Sequence, residues 1–179
     1  HPIVAEKARR FIYVADGAGI GILIASTLRD AEAQADIFSM ARTTPGPHAN
    51  TKRPMGFTVT QNPPGDSMHE YGCAFDVYPT INGRLVKSIS PCDWRVWLHL
   101  AEIAKMPRIN LQWGGRHRPK DGLRELWHFH YSAGLTAQEL AAGARLPDVN
   151  IGTIIAPTNE IKSGSKKPAA PRKRRAGGK

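Results

Sequence analysis

The 179-residue chain has only two cysteines and lacks any long hydrophobic run. Two cysteines cannot build a disulfide scaffold, so the fold has to rest on its hydrophobic core and on any metal it binds. The longest apolar run, residues 18–25, is far too short to cross a bilayer and predicts a buried core strand instead. No signal-peptide pattern opens the chain, and export by such a signal is not indicated.

Acidic residues are also absent after Glu160, whereas eight Lys or Arg residues follow it. The net charge of the whole chain is +10, so subtracting these 8 leaves +2 for residues 1–161. A segment rich in Lys, Arg, Pro, Gly and Ala cannot bury enough apolar surface to fold. We therefore predict one domain over residues 1–147 and a basic, disordered tail over residues 148–179. Such a tail favours an anionic envelope polymer or nucleic acid as partner, and a solvated terminus without a partner is the alternative.

Helical periodicity and capping residues predict four helices. An amphipathic helix over residues 5–15 is expected to end at Asp16-Gly17, and a second helix follows over residues 30–41. A third helix is predicted over residues 93–105, before Pro107. Thr136 and Glu139 form a capping-box pattern that opens a final helix, expected to end near residues 143–147.

The remaining segments predict strands, a hairpin and a long loop. Residues 44–66 contain five prolines and read as an irregular stretch that borders a site. Residues 72–78 predict a strand in which Asp76 faces away from the Phe75 side. The Asn82-Gly83 pair predicts a tight turn between that strand and a returning one.

Two short motifs carry the candidate chemistry. The first runs from Ser67 to Asp76 and contains His69, and the second is Glu125-Leu126-Trp127-His128. Two imidazoles and one carboxylate can hold zinc and leave a fourth position open, as a hydrolytic zinc requires. His69 and Asp76 can converge on one ion if a loop carries the His and the next strand carries the Asp. His128 would complete the ligand set, and Glu125 lies near enough to serve as general base.

These motifs resemble the signature of the zinc D-Ala-D-Ala carboxypeptidase and dipeptidase family, which includes the L-alanyl-D-glutamate peptidase endolysins of bacteriophages. That signature is Ser-x-His-x-x-Gly-x-Ala-x-Asp followed by an acid-x-x-His, and the resemblance spans roughly residues 20–135. It implies a small α+β domain of the Hedgehog and D,D-peptidase kind, with helices flanking a central antiparallel sheet that carries the zinc site. It also implies that His69, Asp76 and His128 bind Zn²⁺ and that Glu125 is the catalytic base.

The resemblance further implies how substrate is held. Arg29, just before the helix that carries Gln34, is similar to the family's arginine that binds and polarises substrate, which gives Arg29 both a catalytic and a binding role. Ser67 and Gln34 are predicted to bind substrate as well. The implied partner is the stem peptide of bacterial peptidoglycan, cut between L-Ala and D-Glu or at its D-Ala-D-Ala end. The Trp113-Gly114-Gly115 element resembles the endolysin branch and favours the first bond.

Two departures from the family pattern leave alternatives open. The endopeptidase branch usually has His-Phe-Glu where this chain has His128-Phe129-His130, so His130 is a rival ligand or a partner of one. The basic loop 116–118 either binds substrate carboxylates or is solvated. A different class of function is a binding module that uses the tail, with an inert or structural zinc. For the enzyme, we expect a monomer made in a host bacterial cytoplasm that acts on the cell wall, either free or attached to a virion.

Overall fold

The computed structural model describes residues 1–40, 60–86, 90–116 and 125–148, except for the side chains at positions 91, 92 and 116. The described helices are α1 (Pro2–Gly17), α2 (Ala31–Ser39), α3 (Pro91–Ala104) and α4 (Ala137–Ala141). The strands are β1 (Gly21–Ser26), β2 (Ala74–Ile81), β3 (Arg84–Leu85), β4 (Gln112–Trp113) and β5 (His128–His130). A 3₁₀ turn, Gly114–Arg116, follows β4. No helix in these ranges is long and apolar enough to span a membrane.

Side-chain caps determine where three of the helices begin. Asp30 accepts a hydrogen bond from the Ala33 amide at the start of α2, and Ser90 accepts one from Asp93 at the start of α3. Thr136 and Glu139 form the predicted capping box of α4. This helix ends at Ala141, earlier than the sequence indicates, because Gly143 adopts a φ of 97° and turns the chain.

The strands form one antiparallel sheet in the order β1-β2-β5-β4, with β3 paired to β2. Asn82 and Gly83 close the predicted β2–β3 hairpin with φ values of 50° and 75°, the left-handed backbone that a tight hairpin turn requires. In the β2–β5 pair, Asp76 lies opposite His128. This register brings the two sequence motifs together on adjacent strands and confirms the predicted fold class.

The hydrophobic core lies between one face of the sheet and helices α1 and α3. The ring of Phe11 in α1 lies 4.8 Å from that of Phe129 and 6.2 Å from that of Phe75, measured between centroids. Trp97 of α3 is fully buried in the same cluster. Because side chains alternate along a strand, Phe75 points into this core and Asp76 points to the opposite face, as predicted. That opposite face carries the polar residues of the site.

Strand β1 is not the buried core strand that its apolar run predicts. It lies at the edge of the sheet order, and Leu23 and Ile24 are 51% and 39% exposed. Hydrophobicity and β-branching explain why this segment forms a strand. Whether the strand is buried depends on which other elements cover it. That depends on the order of strands in the sheet, which the apolar segment does not determine by itself.

Several predictions from the sequence fall outside the described residues. Residues 60–66 lack helix and strand, as expected for the Pro-rich stretch, whereas residues 44–59 lie outside the described ranges. The same holds for residues 117 and 118 of the basic loop and for the chain from residue 149 onward. The domain boundary after residue 147 and the nature of the tail therefore stay predictions.

Candidate metal centre and active site

Three predicted ligands from distant parts of the chain form a compact triangle. Nε2 of His69 lies 3.2 Å from Nδ1 of His128, and each of these nitrogens lies 3.3 Å from Oδ1 of Asp76. A tetrahedral zinc with ligand bonds of about 2.0–2.1 Å separates its donor atoms by about 3.3 Å. The triangle therefore has the dimensions of three ligands of one tetrahedral ion. Within the described residues, it is also the cluster identified as able to hold a metal.

The hydrogen bond made by Nδ1 of His69 determines which ring nitrogen faces the triangle. Nδ1 lies 2.6 Å from the carbonyl oxygen of Thr27, and because a carbonyl only accepts, Nδ1 is the protonated nitrogen. Nε2 faces the triangle and is the nitrogen available to a metal. A metal-binding histidine commonly donates its other N–H to a carbonyl or carboxylate in this way. Thr27 is thus a part of the centre that the motif did not indicate.

The charge state of Asp76 also suits a cation site. Burial alone would raise the pKa of its carboxyl group, but hydrogen bonds from His128 and His69 and their charges lower it, leaving the pKa well below its usual range. The carboxylate is therefore ionised at neutral pH. A metal ion at the centre of the triangle would take the place of the imidazole proton and bind both this oxygen and Nε2 of His69, which lie 3.3 Å apart. The residues present fit a zinc ion.

Arg29 lies at the edge of this centre and is held by its neighbours. Its NH1 group donates to Oε1 of Gln34 at 2.8 Å, and its NH2 group lies 3.3 Å from Ser26 Oγ and 3.7 Å from Asp76 Oδ2. Gln34 itself is fully buried and donates to the carbonyl of Asn62 at 2.6 Å. The structure therefore places the Gln34 amide against Arg29, and the predicted contact of Gln34 with substrate stays a prediction.

Hydrogen bonds of Glu70 and Tyr71 hold the loop that carries Ser67 and His69, and we call this set of contacts the clamp. It was not predicted from the sequence. The Glu70 carboxylate accepts hydrogen bonds from the amides of Gly65 and Ser67, at 2.9 and 3.2 Å to Oε2. The Tyr71 hydroxyl donates to the Gly65 carbonyl at 2.7 Å. Ser67 is buried and its Oγ accepts from the His69 amide at 3.4 Å. These contacts fix the loop before β2. The sequence signal that could have predicted them is Glu70, an acid three residues after Ser67.

The segment that carries Glu125 packs tightly against the Trp113-Gly114-Gly115 element. The Trp113 indole donates to the Leu126 carbonyl at 2.7 Å. A Cβ atom on Gly114 would lie 2.8 Å from the Glu125 carbonyl oxygen and 3.2 Å from Cβ of both Glu125 and His128. Only glycine allows this close approach. The element thereby sets the position of the predicted base relative to the metal ligands.

His130 stays outside the ligand triangle. Its Nε2 lies 3.1 Å from Gln112 Oε1 on the neighbouring strand, and its ring centroid is 5.2 Å from that of His128. Burial, followed by the charges of His128 and His69, lowers the pKa of His130 to about 4, so its ring is neutral at neutral pH. In this arrangement it is a neighbour of a ligand. Its role in zinc binding stays a prediction to be tested.

Two cavities meet at the centre. The smaller one, about 260 Å³, is bordered by Arg29, Ser67 and the three predicted ligands, with Trp127 along its wall. The larger one, about 980 Å³, extends past β4 and β5 toward α4. Asn62, Glu125 and His128 border both cavities. A substrate that binds across Glu125 can therefore extend in two directions from the metal ligands.

A family comparison agrees with this geometry. The model of the VanY family, described as D-alanyl-D-alanine carboxypeptidase, matches residues 1–134. The chain belongs to the VanY family. Members of this family are zinc metallopeptidases that act on peptidoglycan, so the predicted enzyme class, zinc cofactor and family are confirmed.

Three solved structures are similar to this VanY-family chain. One is the L-Ala D-Glu endopeptidase ChiX of Serratia marcescens, with 17% identity, a TM-score of 0.48, and coverage of 74% of this chain and 80% of that one. Another is a mutant of the vancomycin resistance D,D-pentapeptidase VanY from a VanB-type cassette, in complex with Zn(II). It has 20% identity, a TM-score of 0.45, and coverage of 78% of this chain and 74% of that one. The third, VanYB in complex with D-Ala-D-Ala, has 20% identity, a TM-score of 0.46, and coverage of 78% of this chain and 72% of that one. Among curated proteins, no match was found.

Proposed function

We propose that this chain is a zinc endopeptidase that hydrolyses the L-alanyl-D-glutamate bond of peptidoglycan stem peptides, as an endolysin of a bacteriophage does. The meeting of two cavities at Glu125 and His128 carries this proposal. An endopeptidase has to accommodate substrate on both sides of the scissile bond, and a site with openings in two directions suits that need. The close packing of Gly114 on Glu125 adds support, because the Trp113-Gly114-Gly115 element resembles the endolysin branch.

In the proposed reaction, Glu125 accepts a proton from the attacking water and delivers it to the leaving amine as the C–N bond breaks and the new C–O bond forms. His69, Asp76 and His128 would hold a Zn²⁺ ion, which when bound would supply Lewis-acid chemistry that lowers the pKa of the attacking water and polarises the carbonyl group. Arg29 is oriented by Gln34 and keeps further N–H donors for the oxygen on which negative charge develops.

Ser67 has a supporting role in this proposal. Its side chain borders the smaller cavity and also accepts a hydrogen bond from the amide of His69. A hydroxyl both donates and accepts, so Ser67 can donate to a polar group of the substrate while it accepts from the loop. We assign Ser67 and Arg29 to the part of the substrate that enters the smaller cavity.

A D-Ala-D-Ala carboxypeptidase is the second candidate. The matched family model carries that description, and a cavity of about 260 Å³ beside Arg29 has room for a single terminal D-Ala with its carboxylate. This reaction would use the same zinc ligands and the same base. The two candidates differ in the bond cut and not in the mechanism.

Mass spectrometry of a digest of purified peptidoglycan separates the two reactions. The zinc-loaded protein is expected to produce fragments with a new amino-terminal D-Glu, and a chelator is expected to abolish them. Release of free D-Ala with intact L-Ala-D-Glu bonds would instead establish the carboxypeptidase. Absence of both products with a zinc-loaded, folded protein would contradict the proposed class of substrate.

A further inference from the structure

Apart from Glu125 and His128, the side chains that line the larger cavity have no role in the proposed reaction. It begins at Glu125 and His128 and extends for about 980 Å³ along β4 and β5 to the start of α4. Small-molecule sites commonly occupy about 300–1,000 Å³. The volume is therefore sufficient for a group larger than one amino acid.

The described lining of this cavity consists mainly of neutral groups. Gln112, Gln138, Ser132 and Thr136 bring amides and hydroxyls, and apolar surface comes from neighbours such as Leu135. Two of the charged side chains in the described lining have partners on the protein, and a third, Glu125, is the proposed base at the end of the cavity next to the metal ligands. Asp66 accepts a hydrogen bond from Gln138 at 2.8 Å, and Lys105 is paired with Glu102. Neutral hydrogen-bonding groups beside apolar surface suit an uncharged polar ligand.

The smaller cavity differs from the larger one in the charge of its lining, because the Arg29 guanidinium borders it. The proposed substrate shows the same asymmetry about the scissile bond. On the amine side, D-Glu carries a free α-carboxylate one carbon from the scissile nitrogen, since the stem continues through its γ-carboxyl group. On the acyl side, L-Ala is joined through an amide to the lactyl group of N-acetylmuramic acid, an uncharged sugar with hydroxyl and acetamido groups.

We propose that the larger cavity binds the N-acetylmuramyl sugar on the acyl side of the scissile bond, with Gln112 and Gln138 as specificity-determining residues. This inference rests on the proposed endopeptidase function and adds a substrate requirement to it. In this orientation the D-Glu carboxylate enters the smaller cavity beside Arg29. The protein then acts on stem peptides that are still attached to the glycan, in preference to free peptides.

Two substrates with the same scissile bond test the requirement. One is N-acetylmuramoyl-L-alanyl-D-glutamyl peptide, and the other carries an N-acetyl group in place of the sugar so that the alanine stays an uncharged amide. The sugar-bearing substrate is expected to have a kcat/KM about tenfold higher, the effect of one or two additional hydrogen bonds. Equal kcat/KM values for the two substrates would overturn the inference and leave the endopeptidase function intact.

Variants show whether the cavity is responsible for the difference. Gln112→Ala and Gln138→Ala are expected to lower kcat/KM several-fold for the sugar-bearing substrate, mainly by raising KM. The kcat/KM for the acetyl substrate is expected to stay unchanged. Arg9→Ala is the control, because this exposed side chain lies on α1, on the other side of the sheet. Equal losses on both substrates would contradict a sugar-specific role.

Binding of N-acetylmuramoyl-L-alanine by isothermal titration calorimetry provides an independent measurement. Saturable binding that Gln112→Ala weakens several-fold is expected. If neither peptide substrate is hydrolysed, the proposed function fails, and this titration still decides the ligand of the cavity. Absence of binding to the zinc-loaded protein would overturn the sugar site.

Discussion

At the scale of single residues, the metal centre depends on the positions of protons as much as on the ligand atoms. Thr27 holds a proton of His69 on Nδ1, which turns Nε2 toward the ligand triangle, and the Asp76 carboxylate is kept ionised by the two histidines. The three donor atoms lie 3.2–3.3 Å apart. These distances match the spacing of donor atoms around a tetrahedral zinc.

Replacement of a ligand is expected to remove the metal. His69→Ala leaves two of the three protein ligands, so we expect a loss of bound zinc after dialysis against metal-free buffer, measured by elemental analysis. His130→Asn is the matched control: His130 bonds Gln112 and lies outside the triangle, so this variant should keep one zinc per chain. Unchanged zinc content in His69→Ala, or loss of zinc in His130→Asn, would require a different ligand set.

At the scale of secondary-structure elements, the site is assembled by short connections that hold reactive groups on a rigid sheet. The 63–72 loop brings His69 to β2, and the Gly114–Arg116 turn packs on the segment before β5. The 63–72 loop adds only the partly buried side chains of Met68 and Tyr71 to the hydrophobic core. The contacts of the two connections with the loop backbone and with Glu125 instead set the geometry of the site.

Gly114→Ala tests the close packing behind the base. The added Cβ would lie 2.8 Å from the Glu125 carbonyl oxygen and would displace the segment that carries Glu125 and His128. A displacement of this kind is expected to lower kcat by about 10–100-fold. Gly17→Ala is the control, since a Cβ there meets nothing within 4 Å. A Gly114→Ala enzyme with the kcat of the Gly17→Ala enzyme would show that this contact does not position the base.

Glu70→Gln tests the clamp on the loop of Ser67 and His69. Hydrogen bonds to a charged group contribute about 1.5–3 kcal/mol, and an amide presents one acceptor oxygen where the carboxylate presents two. We expect a free energy of unfolding lower by about 1–2 kcal/mol and a higher dissociation constant for zinc, from denaturant titration and a competitive zinc assay. Glu32→Gln, at an exposed position in the first turn of α2, is the control: it should leave the zinc dissociation constant unchanged and lower stability by only about 0.5 kcal/mol, the helix-dipole contribution of an exposed first-turn acid. Equal stability and zinc affinity in Glu70→Gln and Glu32→Gln would exclude the clamp.

At the scale of the whole molecule, local signals were sufficient to predict the four helices and strands β1, β2 and β3, but not β4, β5 or the arrangement of the sheet. The periodicity of α1, the Asn82-Gly83 turn and the Thr136 capping box depend on neighbouring residues, and all three were predicted. The exposed edge position of β1 depends on the order of strands, which no local pattern contains. The motif spacing indicated the ligands, but Thr27 and Asn62 enter through backbone carbonyls, which any residue type supplies.

The basic tail leads to a prediction about the whole chain. With eight positive charges after Glu160, it is expected to attach the protein to anionic polymers without taking part in hydrolysis. Truncation after Pro157 should leave turnover of a soluble muropeptide unchanged and should weaken sedimentation with cells or binding to DNA. The difference from the full chain should shrink as salt increases. Loss of turnover on the soluble substrate would contradict an accessory role.

The central claim is that Glu125 is the general base beside a zinc ion held by His69, Asp76 and His128. The most direct test is the turnover of Glu125→Gln on a soluble muropeptide, with zinc content measured on the same preparation. The variant should retain one zinc per chain, because Glu125 is not one of the ligands, and should lose about 10²–10⁴-fold in kcat, the usual contribution of general acid–base catalysis. Near-normal turnover by a zinc-loaded Glu125→Gln enzyme would contradict the account.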